Sequence, residues 1–151
     1  MALYDKTVTK SSKFCNDLVP ITADGFAVQA TGSIKLERDK TSNVALVKLD
    51  VPIGSKLIGV VLHAGAGATG SNATATTLSI RKVIHTAGGV TDAEVKGVSA
   101  VSVEEDTKLD IRADFEEVVR EGYSYYARVT ATTADNAACD LEVIGATVEY
   151  Q

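Results

Sequence analysis

The chain has no tryptophan, one methionine, two cysteines and two histidines in 151 residues. These scarcities exclude several kinds of chemistry. Cys15 and Cys139 stand near opposite ends of the chain, with no CxxC and no neighbouring histidine, so neither a zinc-binding spacing nor a dithiol redox motif exists. Two reduced thiols are the default, and one long-range disulfide is the alternative. With only His63 and His85, a site of three or four convergent metal ligands is not expected. His63 reads as a partly buried strand residue and His85 as a surface residue beside a Gly-Gly turn. The first twenty residues lack the apolar centre of an export signal, and no later stretch approaches the roughly 18 apolar residues of a membrane span. No membrane partner is expected, and Asn72-Ala73-Thr74 reads as a coincidental sequon. A positive field is missing too: the net charge is −5, so nucleic acid is not an expected partner.

What the chain has in abundance is β-branched residues: Val, Ile and Thr number 19, 8 and 16, against ten Leu. That composition favours strands over a helical bundle. Charge is uneven along the chain. Residues 1–82 are net basic and 83–151 net acidic, which yields a mottled surface if strands interleave, or one basic and one acidic end if they do not.

Asp24-Gly25 is a turn dipeptide, and Phe26 to Glu37 then alternates, with Val28, Ala30, Gly32, Ile34 and Leu36 on one face. This reads as one half-buried strand. Arg38 to Asn43 is a polar turn and Val44 to Leu49 a second strand. Val51-Pro52 interrupts pairing, because proline has no N–H for a ladder. Lys56 to Ala64 is the most apolar run and predicts a central strand, and Thr76 to Ile84 alternates as another. From Val90 to Asp110 neither period prevails. Asp114-Phe115-Glu116-Glu117 places a capping side chain three residues before a glutamate, with Gly122 just beyond, which predicts one short helix over 115–121. Tyr123–Thr133 and Cys139–Tyr150 are two alternating strands, read as a hairpin across residues 134–138. The sum is a single all-β domain over 17–151, an antiparallel β-sandwich or jelly roll with one short helix, preceded by an extended N-terminal arm over 1–16. A closed barrel is the alternative.

Residues 65–70 match G-x-G-x-x-G, but β-branched residues rather than a helix follow, so a strand connection is the better reading than a nucleotide site. No catalytic nucleophile sits in a recognisable motif, and no cofactor or metal site is predicted. The carboxylates Glu104, Glu105, Asp106, Asp110, Asp114, Glu116 and Glu117 lack the alternation and glycine of a calcium loop and read as a solvated acidic edge. Of the five tyrosines, Tyr123 and Tyr125 share a strand face and Tyr126 takes the other. Packing is preferred there over a stacking platform, since only Arg128 is near in sequence.

Phe26 to Leu36, Val44 to Gly59 with its Val51-Pro52-Ile53 step, Thr76 to Val83, and the Tyr-rich stretch Gly122 to Tyr150 together resemble the small β-sandwich head decoration, or cement, proteins of tailed bacteriophages. The resemblance covers residues 26–150. It implies a non-catalytic protein made in the host bacterial cytoplasm and fixed to the capsid exterior of the virion. Its implied partners are the major capsid protein and further copies of itself, as a dimer or trimer. In that reading Lys6, Lys10 and Lys13 steer the arm to an acidic neighbour, with Leu3, Tyr4 and Phe14 as anchors. A carbohydrate-binding or tail-fibre-associated β-sandwich module is the second expectation, and an enzyme the third.

Overall fold

A computed structural model describes residues 10–20, 26–28, 30–36, 43–66, 73–101, 108–133 and 141–151. Eleven strands run through them in chain order: β1 (Ser11–Cys15), β2 (Asp17–Pro20), β3 (Phe26–Val28), β4 (Ile34–Leu36), β5 (Asn43–Leu49), β6 (Lys56–Ala66), β7 (Ala73–Thr86), β8 (Gly89–Val101), β9 (Lys108–Val118), β10 (Tyr123–Thr133) and β11 (Leu141–Tyr150). All pairings are antiparallel, in two sheets. The first has the order β3-β4-β11-β6-β9, with β1 also on β11; the second is β2-β5-β10-β7-β8. No ladder joins them among the described residues, so the architecture is an all-β sandwich and not a closed barrel.

Period-2 alternation builds the core. Val60, Leu62 and Ala64 of β6, with Ala146 and Val148 of β11, turn inward from one sheet; Ala45 and Val47 of β5, Ala127 and Val129 of β10, and Leu78 and Ile80 of β7 meet them from the other. The run Lys56 to Ala64, predicted as a central strand, lies within β6, between β11 and β9. Strands from the basic and acidic halves of the chain interleave in both sheets.

Three expectations need correction. The helix predicted over 115–121 is absent: β9 continues to Val118, and residues 119–122 turn into β10 with Gly122 at φ 81°. A bulge opposite Leu57 and Gly59 sets three β9 steps against two on β6. An extra residue there breaks the alternation and imitates helical spacing. The strand read over Phe26 to Glu37 is two short strands, β3 and β4, paired as a hairpin around Gly32 at φ 86°. The glycine counted as part of an apolar face is the residue that permits the left-handed turn. The terminal hairpin is not one: β10 belongs to the five-stranded sheet and β11 to the six-stranded. Residues 134–138, where the hairpin loop was placed, lie outside the described residues.

Residues 90–101, where neither period prevailed, form β8. It carries two register shifts against β7, near Thr76/Leu78 and Ile80/Arg81, which accounts for the irregular valines. Within the proposed arm, Ser11–Cys15 is hydrogen-bonded onto β11 of its own chain, and Leu3, Tyr4 and Lys6 lie outside the described residues. Cys15 is a buried free thiol, and Cys139 also lies outside them.

Candidate functional site

The outer face of the five-stranded sheet is assembled around its central strand. On β10, Tyr125, Ala127 and Val129 point inward, so Ser124, Tyr126 and Arg128 point out. Register places Tyr126 between Lys48 of β5 and Arg81 of β7, and Arg128 between Leu46 and Ser79. The Tyr126 hydroxyl donates to Asp92 Oδ2 at 2.8 Å, although Asp92 belongs to β8, two strands away and opposite Val83. To span that distance the ring must lie along the sheet over β7 instead of standing off it, with strands spaced about 4.8 Å apart. Arg81 Nε donates to both Asp92 oxygens at 3.1 Å, and its Nη1 reaches Ser79 Oγ at 3.4 Å. Ser79 in turn donates to Glu94 Oε1 at 2.7 Å.

Electrostatics favour a charged Asp92 and a protonated Tyr126. Burial opposes ionisation of Asp92, but hydrogen bonds from Arg81 and Tyr126 and the nearby charge of Arg128 outweigh it and hold the carboxyl below its usual range. Burial and the Asp92 carboxylate both push the Tyr126 phenol up, so it remains a donor at neutral pH. Beside the ring opens a cavity of about 450 Å³ lined by Leu46, Lys48, Leu49, Val83, Ser124, Tyr125 and Tyr126. An apolar floor with a few convergent polar groups is the usual make-up of a small-ligand site. The sequence reading missed this platform because the partners of Tyr126 come from β5, β7 and β8. Only the alternation that turned Tyr126 away from Tyr125 was visible.

The outer face of the six-stranded sheet carries an exposed aromatic of its own. Phe14 of β1, 49% exposed, lies over Gly145, and its ring centroid is 6.0 Å from that of His63. Lys10 is ion-paired to Glu149 at 2.8 Å, and Lys13 to Asp50. The structure thus spreads the three described arm residues over one sheet edge and commits both lysines to pairs within the chain. Beside them His63 Nδ1 is 2.8 Å from Asp110 Oδ1, and His63 Nε2 is 2.7 Å from Thr147 Oγ1. Thr147, His63 and Asp110 have the connectivity of nucleophile, base and orienting acid. What they lack is an oxyanion site: near these residues β6 and β11 are paired on both sides, so their N–H groups serve the ladders. The array bridges β9, β6 and β11 and also lowers the Asp110 carboxyl, chiefly through its hydrogen bond to His63. Hydrolysis of p-nitrophenyl acetate by the protein should therefore match free imidazole and be unchanged in Thr147→Val; a Thr147-dependent burst would reveal a catalyst.

The described members of the acidic stretch are dispersed. Asp110 meets His63, Asp114 meets Arg112, and Glu117 takes Lys82 at 2.9 Å and the Tyr125 hydroxyl at 3.2 Å. Among the described residues no three His, Cys, Asp or Glu side chains converge as a metal site. Gly65 and Ala66 end β6; the rest of the G-x-G-x-x-G stretch lies outside the described residues.

No protein-family model matches the chain, and no curated protein does. Solved structures share its fold. The CBM22-2 xylan-binding domain of Paenibacillus barcinonensis Xyn10C is 14% identical, with 89% of this chain and 91% of that one covered and a TM-score of 0.54. A family 16 carbohydrate-binding module is 11% identical over 77% of this chain and 74% of its own, at a TM-score of 0.44. The enzymatically active domain of bacteriophage CBA120 tailspike protein 4 is 15% identical over 94% of this chain but 19% of its own, also at 0.44. At 14% identity the likeness to the xylan-binding domain establishes a shared β-sandwich fold and nothing further.

Proposed function

We propose that this chain is a non-catalytic binding module that takes a saccharide on the outer face of its five-stranded sheet. The observation that carries this reading is Tyr126, laid along the sheet by its bond to Asp92 and standing beside a cavity of about 450 Å³. A sugar ring has an apolar face of C–H groups and a rim of hydroxyls. The first packs on an aromatic ring, and the second needs donors and acceptors such as Ser124, Arg81 and Glu94. The fold shared with a xylan-binding domain supports the reading, since that protein puts the same sandwich to saccharide binding. Calorimetric titration against a panel of soluble oligosaccharides tests it. At least one should bind, and Tyr126→Ala should weaken it about tenfold or more while near-ultraviolet circular dichroism stays that of a folded sandwich. Undiminished binding by Tyr126→Ala, or no binding to any saccharide, overturns it.

The capsid-cement role is the second reading. The feature that favours it is β1, which pairs with β11 along one edge and, among the described residues, leaves its other edge unpaired beside the exposed Phe14. Such an edge can accept a strand from a neighbouring subunit. Imaging of virions for an externally bound copy separates the two readings: a copy seated through β1 favours cement, and a capsid without one favours the saccharide module.

A further inference from the structure

We infer that the saccharide taken on this face is acidic, carrying a carboxylate or sulfate that Lys48 and Arg128 receive. This rests on the saccharide reading above and specifies its ligand. In a chain of net charge −5, three cations flank the ring of Tyr126, whose hydroxyl meets Asp92: Lys48 opposite it on β5, Arg81 opposite it on β7, and Arg128 two residues along β10 on the same face. Arg81 is neutralised by Asp92. Lys48 and Arg128 are not: among the described residues neither has a carboxylate within ion-pair distance, even though Asp17 stands opposite Lys48 in the register of β2 and β5. By contrast Lys10, Lys13, Lys82 and Arg112 each hold a carboxylate within the chain.

Placement gives Lys48 and Arg128 a common target. Lys48 lines the cavity beside Tyr126, and Arg128 is close enough to help depress the Asp92 carboxyl. Arg128 is a half-buried residue on a sheet face, and closing a ligand over it would remove further solvent and strengthen its attraction to an anion. Its planar fork suits a carboxylate or sulfate, and the lysine adds a mobile point charge at the cavity wall. The Tyr126 ring would then pack on the sugar body while the cations fix its charged substituent.

The test compares a neutral xylo-oligosaccharide, an oligogalacturonate and a sulfated oligosaccharide of equal length, each titrated into the full chain at low and at high salt. At low salt an acidic ligand should bind about tenfold or more tighter than the neutral one, and high salt should shrink that ratio. In the Lys48→Gln/Arg128→Gln double variant, checked for an unchanged near-ultraviolet spectrum, the ratio should fall towards one. Whichever of uronate and sulfate gains more identifies the substituent. Equal or tighter binding of the neutral ligand, or an acidic preference that survives the double variant, overturns the inference and leaves the saccharide reading standing. Absence of binding to all three while another oligosaccharide of the panel binds overturns the inference alone; absence of binding across the whole panel removes both.

Discussion

Alanine in place of Gly145 is expected to detach β1 from β11 and lower stability by about 2–3 kcal/mol, the scale of an overpacked core site. A methyl group there would stand 2.5 Å from the Cys15 carbonyl oxygen and 2.7 Å from Phe14 Cζ. The first is backbone and cannot yield without moving the strand. Gly145 sits at a register shift of β11 against β6, just before Ala146, which pairs with Cys15, and Thr147, which pairs with Phe14. Glycine is needed here for close approach and not for an unusual backbone angle. Urea unfolding measures the loss. Amide exchange at Ser11–Cys15 and thiol labelling mapped to the otherwise buried Cys15 locate it. A variant with unchanged stability and a protected Cys15 would contradict the packing described for β1.

Arg112→Met is expected to cost about 1–2 kcal/mol at neutral pH, with the deficit closing as the pH falls towards 2. Arg112 grips Glu149 with two nitrogens, Nη1 to Oε1 at 2.9 Å and Nη2 to Oε2 at 2.5 Å, and holds Asp114 through Nε at 2.8 Å. The Glu149 side chain is 12% exposed and the Arg112 side chain 44%, so solvent weakens the pair and the cost stays well below that of a buried one. The hydrogen bonds from Arg112, then those from Lys10, lower the Glu149 carboxyl from 4.5 to about 2. Between those values the folded chain holds fewer protons than the unfolded one. The contribution is therefore fully present above pH 4.5 and is lost as the pH falls towards 2. In the variant the carboxyl keeps only Lys10, so its value rises back towards 4.5 and the acid loss shrinks. Denaturation of both proteins from pH 7 to pH 2 measures the gap; a gap that is constant with pH would assign the effect to the packing of Arg112 alone.

The strand content was legible because alternation is local: in Thr76 to Ile84, Leu78 and Ile80 alternate with Thr77, Ser79 and Arg81. Where bulges interrupt, as in β8 and in β9 around Phe115, one extra residue inverts the alternation, and the short-range pattern misleads even though the strand persists. The single false helix and the split of Phe26 to Glu37 both come from that source or from a glycine whose turn looked like a core position. The terminal hairpin failed for a different reason. Sequence neighbours such as β10 and β11 need not pair when each is flanked by partners in its own sheet, β10 by β5 and β7, β11 by β6 on one side and β1 and β4 on the other.

The candidate site was less legible. That Tyr126 takes the face opposite Tyr125 was visible, but Asp92, 34 positions away from Tyr126, and Lys48 of β5 join it only through the order β5-β10-β7-β8. By itself the amino-acid sequence determined an all-β body, a central apolar strand and the inner or outer direction of most side chains, since these follow from β-branched composition and a two-residue period. Which outward side chains share a face was decided by tertiary structure alone, because strand order and register are set by how two whole sheets bury their inner surfaces against each other.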